Sequence, residues 1–107
     1  MQPCILYVTA PDEEVARQLA EKMILGRMCA CVNILSAMHS MYLWEGALEH
    51  AKEVALIIKT TESSAPSLIE WLVAQHPYDC PCVVQIPITG GNADFLQWIV
   101  QNTHNTY

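Results

Sequence analysis

The chain has 107 residues, the length of one small domain. Five basic against eleven acidic residues leave a formal charge of −6, which excludes a protein that grips nucleic-acid phosphates through a basic face. Hydrophobic residues make up 52% and charged ones only 15%, which excludes a disordered chain. A domain this small cannot hide so much apolar surface alone, so composition favours association into an oligomer.

No apolar run approaches the roughly 20 residues of a membrane span. The start, Met1 to Val8, carries neither a basic end nor a secretory core. Five cysteines without a leader point to free thiols in a reducing compartment, with the cytoplasm as the expected location.

Residues 1–107 read as a single domain without linker or repeat. Cys4 to Thr9 is a short apolar run closed by Pro11-Asp12 and predicts a buried strand. Asp12 caps the helix that follows, where Val15, Ala16, Leu19, Ala20, Met23 and Ile24 recur at helical spacing and Gly26 suits the end. Cys31 to Trp44 predicts a second strand bent near Ser36-Ala37. Glu45-Gly46-Ala47 predicts a hairpin turn into a long strand from Leu48 to Thr60.

Ser63 or Ser64 is placed to cap a second helix, with Pro66 in its first turn. Leu68, Ile69, Leu72 and Val73 are its expected buried stripe, and Pro77 ends it. Val83 to Ile88 predicts a fourth strand at a sheet edge, because Pro87 cannot donate to a ladder. After Gly90-Gly91, which reads as a turn and not a phosphate loop, Asp94 to Asn102 predicts a third helix with Phe95, Trp98 and Ile99 inward. Two right-handed β-α-β units joined by a hairpin give an α+β, ferredoxin-like β-α-β-β-α-β sheet of order 4-1-3-2, with an extra C-terminal helix.

Nucleotide-binding, nucleophile-elbow and zinc-protease motifs are absent, so no catalytic signature stands out and the chain reads as a non-enzyme. Cys29-Ala30-Cys31 and Cys80-Pro81-Cys82 are C-x-C pairs, each able to hold a soft ion such as Cu(I) if both thiols share one side. Buried inert thiols are the plainer expectation. The topology separates the pairs by three strand spacings, about 14 Å, so one four-sulfur site and an intrachain disulfide are both excluded.

His76-Pro77-Tyr78-Asp79 falls in the loop before the fourth strand, expected beside the exit of the first strand near Val8 and Thr9. An imidazole there suits a borderline metal ion, or else it satisfies a carbonyl at the helix end. Lys59 is the only base from Glu53 to Thr60 in a mostly apolar strand, and calls for solvent, a cross-sheet carboxylate or an anionic ligand. Tyr42 and Trp44 share one strand face. His39, His50 and His104 are dispersed and read as solvated.

Thr9-Ala10-Pro11-Asp12-Glu13, Cys31-Val32-Asn33, Tyr42-Leu43-Trp44-Glu45-Gly46, Ile58-Lys59-Thr60, His76-Pro77-Tyr78 and Phe95-Leu96-Gln97-Trp98 together resemble the CutA divalent-cation-tolerance family. They run in order over nearly the whole chain. The resemblance implies a ferredoxin-like homotrimer with intersubunit clefts similar to those of PII signalling trimers. It also implies binding of copper or another divalent cation in metal tolerance, and in animals a link to anchoring a membrane cholinesterase.

The family's copper-binding cysteine at the end of strand one is Val8 here, and its adjacent histidine pair is Gln75 and His76. A family glutamate falls on Cys82, and the proline near the bend of strand two is Ser36. The metal ligands that remain to be expected are His76 and Cys82, and any Cu(II) site should depend on His76. Lys59, Tyr78 and Trp44 are expected to line a cleft for a small ligand. The expected partners are two further copies of the chain and a metal ion or small molecule, with neither nucleic acid nor membrane insertion. The alternative is a non-catalytic trimeric scaffold that presents its surfaces to a protein partner.

Overall fold

A computed structural model describes residues 2–104. The elements run β1 (Pro3–Ala10), α1 (Glu13–Leu25), β2 (Cys31–Trp44), β3 (Ala47–Thr61), α2 (Ala65–Gln75), β4 (Val83–Pro87) and α3 (Ala93–Gln101). The four strands form one antiparallel sheet in the order β2-β3-β1-β4, the arrangement that the sequence predicts.

Strand alternation decides which side is buried. Cys4, Leu6, Val8 and Ala10 of β1 lie opposite Thr60, Ile58, Leu56 and Val54 of β3, and all eight are buried. Ala16, Leu19 and Met23 of α1 and Ala65, Leu68 and Leu72 of α2 complete this core. Each fully buried leucine contributes about 1.5–3 kcal/mol relative to an exposed one. Asp12 caps α1, its Oδ1 accepting from the Val15 N–H at 2.8 Å.

Ser64 sits at the N-cap of α2 without capping through its side chain, contrary to the sequence expectation. Its hydroxyl donates instead to the His104 carbonyl at 2.9 Å, tying the start of α2 to the end of the chain. The helical stripes are also narrower than their spacing predicts. Ile24 and Val73 are exposed, and Phe95 and Trp98, expected inward, are 44% and 41% exposed and stack on each other 5.6 Å apart. Only Ile99 of α3 is fully buried. An amphipathic pattern reports which face is apolar, not whether the same chain supplies a cover for it.

Beyond Val54, the last β3 residue paired with β1, β3 continues with β2 alone as a two-stranded arm. The arm closes through Glu45 and Gly46, whose φ values of 51° and 81° make the two-residue turn that suits twisted strands. At its base Leu35 faces Ala55 and Met38 faces Glu53, so two β2 residues stand against one on β3. This is a β-bulge, and Ala37 takes a φ of 61° within it.

Candidate functional site

The bulge determines what the arm presents. Before it, odd-numbered β2 residues share the face of Ala55; after it, even-numbered ones do, because one extra residue inverts a period of two. Tyr42 and Trp44 therefore share a face with Glu49 and Glu53. The α2–β4 loop approaches from the other side and brings Pro77, Tyr78, Asp79, Cys80 and Cys82. With Thr9 at the end of β1, these residues enclose an open cleft of about 750 Å³. That volume suits a small ligand.

The loop is held to the sheet by His76, which is only 7% exposed. Its Nε2 lies 2.6 Å from the Thr9 carbonyl, and its Nδ1 accepts the Tyr78 N–H at 3.1 Å. A carbonyl can only accept, so Nε2 carries the proton and one tautomer serves both bonds. The Tyr78 ring packs at 4.7 Å from the imidazole, and its hydroxyl donates to Glu53 Oε2 at 3.0 Å. Burial first, then the bond to the Glu53 carboxylate, push the Tyr78 phenol up to about 12, so it remains a donor.

Glu49, Glu53 and Asp79 give the cleft three carboxylates, Cys80 and Cys82 give it two thiols, and among the described residues no Lys, Arg or His lines it. Its lining is acidic and bears sulfur. Of the residues singled out in the sequence, Trp44, Tyr78 and Cys82 line this cleft. His76 stands behind it with both nitrogens engaged, in the carbonyl-satisfying role and not as a poised ligand. Lys59 does not belong to it. It lies six residues along β3 from Glu53, about 20 Å on an extended strand. Its ammonium hydrogen-bonds to Asn33 Oδ1 and lies 3.8 Å from Cys31 Sγ, with no carboxylate in ion-pair reach among the described residues.

Glu49 and Glu53 were not singled out in the sequence, although their spacing of four on one strand places both on one face. The signal was an acidic pair in the hairpin strand opposite Tyr42, and it needed the bulge to become readable.

All five cysteines are free thiols, and their environments divide them. Cys4 and Cys29 are buried, and burial is the main cause that pushes their thiols up to about 11 and about 12. Cys31 is half-buried, whereas Cys80 and Cys82 are exposed. The expectation of inert buried thiols thus holds for the first two and fails for the Cys80–Cys82 pair. The two C-x-C pairs lie at opposite corners of the sheet: Cys31 faces Lys59 on edge strand β2, while the Cys82 carbonyl accepts from Thr9 N–H at the far end of β1.

The profile of the CutA1 divalent ion tolerance protein family matches residues 4–102. The chain belongs to that family. The divalent-cation tolerance protein CutA of Thermus thermophilus is 40% identical over 99 residues, 92% of this chain and 96% of that one. The chloroplastic protein CutA 1 of Oryza sativa is 41% identical over 102 residues, 95% of this chain, which spans 58% of that relative's length. The crystal structure of CutA1 from Oryza sativa superposes with a TM-score of 0.95 at 40% identity, covering 99% of this chain and 97% of that one. The α+β ferredoxin-like sandwich is therefore the CutA1 fold. Among the described residues, no three His, Cys, Asp or Glu side chains gather closely enough to hold a metal ion. One CutA1 chain of this sequence thus carries cation-attracting groups without a closed divalent site.

Proposed function

We propose that this protein acts in divalent-cation tolerance by binding copper or another divalent cation as a homotrimer, with the ion as cargo in the cleft between the arm and the α2–β4 loop. The observation that carries this reading is the lining of that cleft: three carboxylates, two thiols and, among the described residues, no basic side chain. Carboxylates suit hard and borderline ions, and thiols suit soft ones. The reading includes no catalytic step.

The trimer is supported by surface that one chain leaves uncovered. Leu35, Val84 and Ile86 on the open sheet face are each about half exposed, and Leu43 on the arm is 73% exposed. Edge strands β2 and β4 also offer unpaired backbone groups that a neighbouring copy would satisfy. Donors from a second chain would complete a coordination sphere that one chain leaves short.

Sedimentation velocity combined with calorimetric titration tests both parts. A trimer mass should appear at micromolar concentration, and Cu(II) or Zn(II) should bind saturably and more weakly in Glu53→Gln, which removes charge but leaves an oxygen for Tyr78. A monomer of 12.0 kDa would remove the trimer. The absence of saturable binding of either ion at millimolar concentration would remove the cation and leave the scaffold reading, which the exposed arm favours.

A further inference from the structure

Of the two C-x-C pairs in the sequence, the structure disqualifies one and leaves the other exposed. Cys29 is 2% exposed and lies in the core cluster, so it does not stand beside Cys31 as a ligand. Its thiol, raised to about 12, is also a poor source of thiolate. Cys80 and Cys82 are both exposed, both free and both line the same cleft.

The segment that carries them is constrained. Pro81 fixes its own φ, and a residue before proline is held in extended conformations, which describes Cys80. Cys82 is anchored through its carbonyl, which accepts the Thr9 N–H at 3.4 Å. Cys80 sits at a bend two residues before it, and both side chains line the same cleft, so the two sulfurs open onto one space before any ion arrives.

We propose that Cys80 and Cys82 form a two-sulfur site for a soft monovalent ion, Cu(I). This deepens the reading of the cleft as a cation receptor and rests on it. Zinc wants four ligands and a divalent copper site wants several nitrogens or oxygens; no three such donors converge among the described residues of one chain, so a divalent ion draws on a neighbouring copy as well. A filled-shell monovalent ion is satisfied by two thiolates in line. Binding replaces two S–H bonds with two Cu–S bonds and releases two protons, so the complex carries one negative charge. Both sulfurs are open to water, which solvates that charge. His76 takes no part, because both its nitrogens are engaged.

Anaerobic titration of the intact protein with Cu(I), in competition with a chromophoric Cu(I) chelator, tests this. One ion should bind per chain. Cys80→Ser and Cys82→Ser should each weaken binding by at least about 100-fold, since losing even a group that only supports a ligand costs about 10–100-fold. Cys31→Ser should bind as wild type does, and copper-edge absorption should show sulfur neighbours only. Undiminished Cu(I) affinity in Cys80→Ser/Cys82→Ser, or loss in only one of the two single variants, would overturn the proposal. The same titrations with Zn(II) and Cu(II) separate the two readings: divalent binding without Cu(I) binding ends the two-sulfur site alone, and no binding of any ion ends both.

Discussion

Thr9 and Tyr78 belong to separate elements, and one imidazole holds their backbones together. Removing it leaves a part-buried carbonyl and an amide without their partner. His76→Ala should therefore destabilise the fold by about 1–3 kcal/mol in urea unfolding. It should also open the α2–β4 loop to proteolysis. Cys29 gives a pH dependence whose sign is fixed. Its thiol is raised from 9.0 to about 12, so the native state keeps a proton that the unfolded chain releases. This contribution is fully present below pH 9 and drains away as pH rises towards 12. Wild type should lose stability faster than Cys29→Ala over that window; parallel profiles would refute the assignment. The sequence shows His76 and places it beside Thr9, because topology alone brings that loop to the exit of β1. What it leaves open is whether the ring nitrogens are free, since that depends on hydrogen bonds between groups 67 residues apart.

Strand β2 was legible to its last residue, because a bend at Ser36-Ala37 and a turn at Glu45-Gly46 bracket an otherwise extended run. The bend is a bulge, and the turn carries a strained residue that Glu fills poorly. Glu45 takes a φ of 51° where Asn is at ease. Glu45→Asn should stabilise the hairpin by about 0.5–1 kcal/mol, and Gly46→Ala should cost a similar amount, because its φ of 81° is strained for any residue with a Cβ. No steric clash adds to that cost, since nothing lies within 4 Å of the added carbon. Thermal melts of the two variants should move in opposite directions. The outward faces of α2 and α3 were less legible. Phe95, Trp98 and Val73 continue the apolar spacing of buried neighbours, and only the position of the rest of the molecule decides which of them is covered.

At the scale of the whole molecule, the long axis of 45 Å against 26 and 21 Å marks a body drawn out by its arm. Apolar side chains lie on that arm and on the open sheet face, away from the core that α1 and α2 seal. Under the proposed assembly neighbouring copies of the chain cover these surfaces, so the midpoint of thermal unfolding should rise with protein concentration. A midpoint independent of concentration over two decades, at monomer mass, would contradict it. Composition pointed towards association before any element was placed. The cleft was not visible at that level, because its two walls come from segments that approach only when the sheet is complete.

The bulge at the base of the arm sets the angle of the cleft and not its membership. Deleting Ala37 would leave one β2 residue against Val54, so Met38 would still face Glu53 and Tyr42 would still face Glu49. What the deletion removes is the local kink and extra twist that a bulge gives its strand. The same side chains would then stand on a straighter arm, re-aimed relative to the α2–β4 loop. The shape of the cleft is therefore tuned at a point that contributes no side chain to its lining.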